Sequence, residues 1–273
     1  CGIDEITYFD TENFDVKLAA EIKEYDPEKY FDRKESKRLE RFSQYALIAA
    51  REAWKDSKLQ KEQEDMERVG IILGSGIGGL NTIETECEKL IQKGANRVSP
   101  LYIPKSICNM AAGNVAIDLG IKGESIAIVT ACASATHCIG ESYRNIKHGY
   151  QDIIVTGGTE SSITPSGIAG FTNAKALTQT NDKNRASIPF DKERNGFVMG
   201  EGAGILILEE LKHAKKRGAK IYAEIIGYGA SSDAYHITSP APDGEGGARA
   251  MRYAIQDAKI KTSEITYINA HGT

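Results

Sequence analysis

The 273 residues carry 34 Lys and Arg against 38 Asp and Glu, a net charge of −4, and 41% apolar side chains. That balance fits one large or two ordinary globular domains, offers no basic field for nucleic acid, and contains no apolar run of the ~18 residues a membrane span needs. The five cysteines include no Cys-x-x-Cys pair and no histidine at zinc spacing, so no metal site is expected, and free thiols point to a reducing, cytoplasmic setting.

Taken along the chain, residues 42–57 show helical period, with Ala46, Ala49, Ala50, Ala53 and Trp54 on one face. Val69–Leu73 reads as a buried strand followed by the glycine turn Gly74–Gly79. Helices are expected over 81–93 and 109–119, a buried strand over 125–129, a helix over 133–148 and a strand over 152–156. Residues 157–196 read as a long polar, glycine-rich connection. Phe197–Leu208 reads as two strand segments around Gly200–Gly204, and a short helix 209–217 ends at Gly218. A strand over 221–229, a helix over 246–258 and a strand over 265–270 complete the order. Strands alternating with helices argue an α/β fold with parallel pairing. No repeat of 20–50 residues is apparent.

Cys132 follows the apolar run Ile126–Val129 and opens the next helix. A thiol at a strand-to-helix turn stands where backbone N–H groups and the helix dipole favour an anion, the setting of a thiolate nucleophile. The competing reading is a small apolar filler, the usual role of a free cysteine. His271, at the end of the 265–270 run, occupies a comparable strand end, where ligands bind α/β sheets. A lone histidine is commonly structural, but one paired with Cys132 suggests thiol chemistry. His137 and Cys138 are read as lining the helix. Gly74-Ser-Gly-Ile-Gly-Gly79 matches the dinucleotide fingerprint, but no acidic residue or second strand stands near 94–100, so a tight turn is the better reading.

Arg33, Lys34, Lys37, Arg38 and Arg41 fall within one expected helical stretch, interleaved with Asp32, Glu35 and Glu40. A solvated, salt-bridged face competes here with a docking patch for an acidic partner. Phe190–Gly204 combines charges, glycines and aromatics, and Asp191, Glu193, Arg194 and Glu201 are expected to form a buried ion network.

Together these pieces resemble the β-ketoacyl-acyl carrier protein synthases, most closely their elongating type II members. The resemblance rests on GSGIGGL at 74–80, VTACASATHCIGE at 129–141, GGTESSITP at 157–165, PFDKERNGFVMGEGAG at 189–204, SSDAYHITSP at 231–240 and NAHGT at 269–273. It implies a thiolase fold of two related halves in α-β-α-β-α layers, divided here as 1–218 and 219–273, and a homodimer. It also implies Cys132 as the acyl-accepting nucleophile, His271 as the first of two catalytic histidines and Ile77 at the acyl pocket. Lys34, Lys37 and Arg38 match a patch for the acyl carrier protein, and Lys175 a position at the entrance. The chemistry implied is decarboxylative condensation with malonyl-acyl carrier protein, elongating a fatty acid by two carbons without a metal or redox cofactor. Ile188 and Asn195 depart from the family's usual Arg and Asp. Residue 1 is not Met, and the first strand, the second histidine and a gating loop of the family are not within these residues, so the segment reads as an excerpt, inactive alone. Three other readings are a polyketide-type ketosynthase, a silent partner subunit, against which Cys132 argues, and a nucleotide-binding oxidoreductase, against which the 94–100 stretch argues.

Overall fold

A computed structural model describes residues 1–272; Thr273, the last residue of the NAHGT motif, lies outside them. Two short antiparallel strands come first, β1 (Asp4–Glu5) and β2 (Leu18–Ala19). The helices α1 (Arg33–Arg38) and α2 (Arg41–Ser57) precede β3 (Val69–Gly74), α3 (Leu80–Lys93), α4 (Tyr102–Ser106) and α5 (Met110–Leu119). Then follow β4 (Ser125–Ile128), α6 (Ser134–Lys147), β5 (Ile153–Glu160), α7 (Pro165–Asn173), β6 (Gly202–Glu209), α8 (Leu211–Lys216) and α9 (Glu245–Ala258).

Four strands form one mixed sheet in the order β4-β3-β5-β6. β3 runs parallel to β4 and β5, and β6 returns antiparallel to β5. Side chains alternate between the two faces of a strand. Ile71, Leu73, Ile153 and Val155 therefore meet α2 and α5, through Phe42, Ala46, Ala50, Trp54, Ala112 and Val115. Ile72 and Ile154 meet the opposite layer through Cys138 of α6. Covered on both faces, β3 is buried at every position and reads as an uninterrupted apolar run. Each fully buried Ile there contributes about 1.5–3 kcal/mol, and Ile71→Ala would cost about 2–5 kcal/mol. A second core of Ile6, Val16, Ala19, Ile163, Ile168, Leu177 and Met199 ties the N-terminal segment to α7.

Several expectations change. The 125–129 run is not buried: β4 is an edge strand, with Ile126 37% and Val129 52% exposed. β5 continues to Glu160 because β6 offers a partner over its whole length. The 157–196 connection contains α7, which Thr164 caps by accepting from the Gly167 N–H at 3.1 Å, with Pro165 in its first turn. β6 is one strand; Phe197 and Gly200 make only isolated bridges, to Leu177 and Ala20. The 221–229 and 265–270 runs are not assigned as strands: neither belongs to a sheet among the described residues, and a strand requires a bonded neighbour.

Residues 226–229 instead lie between α6 and α9. The Tyr143 hydroxyl donates to the Ile226 carbonyl at 3.0 Å, and the Tyr228 N–H donates to Asp257 at 3.1 Å. Asp257 is paired with Lys147 of α6 at 2.6 Å.

Candidate active site at the 130–134 turn

Gly74 stands opposite both Ile128 of β4 and Gly158 of β5, so all three strands deliver their following loops to the same sheet edge. The chain leaves β4 through Ala131, held at φ 49°. An alanine in the left-handed region is uncommon and persists only when its surroundings fix it. Ser134, almost fully buried, supplies that constraint. Its Oγ accepts from the Thr130 N–H at 2.9 Å and donates to the Ala131 carbonyl at 2.7 Å. Close approach of α6 requires the bare backbone of Gly74, where an added Cβ would lie 2.8 Å from Ser134. This turn presents Cys132 exposed to solvent, two residues before α6 begins.

The loop after β3 lies against the turn: a Cβ on Gly76 would sit 3.5 Å from the Ala131 carbonyl oxygen. Glu160, at the end of β5, holds the loop. Its Oε2 accepts from the N–H groups of Gly76 at 2.7 Å and Ile77 at 3.1 Å, and its Oε1 from the hydroxyls of Ser75 at 3.3 Å and Ser162 at 3.0 Å. A carboxylate thus occupies the N–H groups that a dinucleotide phosphate would need, which removes the physical basis for a nucleotide site at 74–79. Ile77, half-buried, follows Gly76 in this loop.

Two of the other thiols, Cys108 and Cys138, are shielded, whereas Cys1 and Cys87 are exposed as Cys132 is. Burial pushes the Cys138 thiol up to about 11. Burial, followed by the charge of Glu160, also raises Cys108. A neutral thiol is a poor nucleophile.

His271 is exposed, and Gly272 packs on Pro189 and Phe190. Phe190 is 73% exposed with φ 65°. Among the described residues no hydrogen bond joins His271 to Cys132, so the structure does not link the two by direct bonding.

The basic stretch is broken. α1 ends at Arg38, Leu39 and Glu40 are extended, and Arg41 opens α2, turning over the Tyr8 ring at 4.1 Å and towards Glu201 at 3.9 Å. Lys34, Lys37 and Arg38 remain exposed on α1 and form no ion pair among the described residues. The interleaved acids are engaged elsewhere: Asp32 caps α1 through the N–H groups of Lys34 and Glu35, and Glu35 faces Arg51 at 3.6 Å. Lys175 is exposed just past α7, with φ 57°.

The expected ion network separates into two. Asp191 and Glu193 pair with Arg185 in an exposed loop, at 3.3 and 2.7 Å. Glu201 stands apart with a fully buried side chain, accepting from the Ile22 N–H at 2.9 Å, the Tyr45 hydroxyl at 3.1 Å, Ser161 at 3.0 Å and the Tyr8 hydroxyl. Burial first, and then the Glu201 charge, push the Tyr45 phenol well above its usual range. Asn195 accepts from Thr178 Oγ1 at 2.6 Å, so the departure there keeps a specific anchor. Sequence reasoning assigned no role to Glu160 or Ser134. A buried-strand end terminating in Glu, and a serine two residues past the thiol, were the available signals.

The family model described as the N-terminal domain of β-ketoacyl synthase matches residues 2–214, and the one described as its C-terminal domain matches 222–273. The chain is 52% identical over 272 residues to a 3-oxoacyl-[acyl-carrier-protein] synthase 2 of Staphylococcus aureus, covering all of this chain and 68% of that protein. Among solved structures it is similar to the ishigamide ketosynthase/chain length factor, with TM-score 0.90, 34% identity and coverage of 99% of this chain and 66% of that one. It is also similar to a type II polyketide synthase structure of an acyl-carrier protein in complex with its ketosynthase bound to the hexaketide, with TM-score 0.86, 32% identity and coverage of 99% and 66%. The chain spans about two thirds of the length of these relatives.

Proposed function

The chain belongs to the β-ketoacyl synthase family, and from that premise we propose that its protein elongates acyl chains by decarboxylative Claisen condensation. The observation that carries this reading is the constrained turn that presents Cys132, alone among the thiols near it, exposed at the start of α6.

The Cys132 thiolate attacks the carbonyl of an acyl-carrier protein thioester, and the carrier thiol leaves. The tetrahedral oxyanion is held by backbone N–H groups of the turn, a kind of donor worth about 2.7–4 kcal/mol of barrier. Malonyl-carrier protein then loses CO2, and His271 donates a hydrogen bond to the enolate oxygen. The enolate carbon attacks the acyl-Cys132 thioester, forming the new C–C bond, and the thiolate leaves. Ile77 lines the acyl chain. Lys34, Lys37 and Arg38 dock the acidic carrier protein, and Lys175 stands at the entrance. This division of labour assigns the nucleophile to residues 1–218 and His271 to residues 219–273. A homodimer is part of the same reading, supported by the exposed edge of β4 with its bare Ile126 and Val129. So is a cytoplasmic location, consistent with the absence, among the described residues, of any helix long and apolar enough to cross a membrane.

Incubation of the full-length protein with isotope-labelled acyl-carrier protein, followed by peptide mapping, should place the acyl group on Cys132. Cys132→Ala should abolish labelling. Label on Cys87 or Cys108, or retained in the variant, would sink the proposal. The solved neighbour described as a type II polyketide synthase complex favours a second reading, a polyketide-type ketosynthase. Acceptance of a polyketide-bearing carrier in preference to a saturated acyl carrier would select it.

A further inference from the structure

His137 lies five residues past the thiol, about one turn along α6. Its Nδ1 is 2.8 Å from Thr130 Oγ1, so a side chain of the helix clasps the residue that enters the left-handed turn. The other side of the imidazole is supported. The Tyr228 ring meets it edge-on, with centroids 6.5 Å apart. Tyr228 is itself held from two sides: the Arg144 guanidinium lies over its ring at 4.7 Å, and its N–H donates to Asp257, which is paired with Lys147. Gly140 leaves the room, since a Cβ there would fall 2.1 Å from the Tyr228 ring. A chain of direct contacts thus runs from the 226–229 segment through Tyr228 and His137 to Thr130 and the turn before Cys132.

We propose that His137 is a positioning residue for the thiol of Cys132, holding the Thr130–Ala131 turn through Thr130 Oγ1 and braced by Tyr228 from the other matched family domain. This rests on the reading of Cys132 as nucleophile. The physical basis is that an alanine at φ 49° relaxes unless held, and one of its two side-chain restraints is the Thr130–His137 bond. Ser134 provides the second.

The test measures transfer of a labelled acyl group from acyl-carrier protein to Cys132 in the full-length protein, over a range of donor concentrations. His137→Ala should lower the maximal rate about tenfold, the weight of a single hydrogen bond, and leave the half-saturating concentration unchanged, because carrier docking lies elsewhere. His137→Asn, whose amide reaches the Nδ1 position, should restore most of the rate. Thr130→Val should match His137→Ala, and the double variant should be no slower than either single one. Wild-type rates in His137→Ala, no recovery in His137→Asn, or additive losses in the double variant would overturn the proposal. Wild-type protein that acquires no label on Cys132 would instead overturn the underlying assignment of the nucleophile.

Discussion

The Glu160 carboxylate reaches from the end of β5 to accept the N–H of Gly76 at 2.7 Å, fastening the loop that backs the Cys132 turn. Ile77 donates to the same oxygen. Glu160→Ala leaves both N–H groups without this acceptor in a partly buried site. The expected cost is about 1.5–3 kcal/mol in chemical denaturation, the range for hydrogen bonds to charged groups. Acylation of Cys132 should slow in parallel as the loop leaves Ala131. A variant with wild-type stability and acylation would show that the loop is held by other means.

Gly140→Ala tests the seat of Tyr228. The added methyl would displace the aromatic ring and cost about 1–3 kcal/mol, as overpacking does. Tyr228→Ala removes the obstacle, so adding Gly140→Ala to it should cost almost nothing more. Equal penalties with and without the ring would place the clash elsewhere.

The α1 patch acts, on the proposed reading, through charge. Reversing Lys34, Lys37 and Arg38 together should raise KM for acyl-carrier protein, with an effect that fades as salt is added, because the Debye length is only about 8 Å at physiological ionic strength. Reaction with a small acyl-pantetheine thioester should be unaffected. Loss of both activities to the same degree would mean a damaged fold rather than a lost dock.

Glu209 sets an acid limit on stability. Burial alone would raise its pKa, but Arg217, donating from Nε at 2.7 Å and from a terminal nitrogen at 2.6 Å, and then His213 at 2.6 Å, outweigh burial and hold the carboxyl below its ordinary 4.5. Because the folded value is depressed, its contribution is present above the ordinary value and lost as pH falls through the lower, folded one. Urea midpoints measured between about pH 5.5 and about pH 3.5 should fall less steeply for Glu209→Gln than for wild type. Parallel curves would remove Glu209 from the acid limb.

Much of the sheet was legible because period and burial coincide. Val69–Gly74 is apolar at nearly every position and central, and the 42–57 period places Ala46, Ala50 and Trp54 on the core. The 125–129 run misled because an apolar sequence does not distinguish a central strand from an edge. The 221–229 and 265–270 runs misled because strand assignment depends on a partner, which no local pattern contains. The Cys132 turn was readable from its strand-to-helix position. Its restraints were not: Ser134 and His137 reach Thr130 only because the chain reverses at the left-handed Ala131, and Glu160 is 84 residues from Gly76. The basic stretch looked continuous because charge spacing carries no sign of the extended Leu39–Glu40 break that turns Arg41 inward.

The single tryptophan, Trp54, packs in the layer that α2 lays on the sheet, at 8% exposure. Intrinsic fluorescence therefore reports the water-tightness of that layer and is blind to the opposite edge where Cys132 stands. A denaturation curve read from its emission would record collapse of the scaffold while missing any earlier loosening of the 130–134 turn. Hydrogen exchange at the Thr130 N–H, which donates to Ser134 Oγ, would see that loosening first, and its disagreement with the emission curve would be the direct signature of a turn that melts independently of the body carrying it.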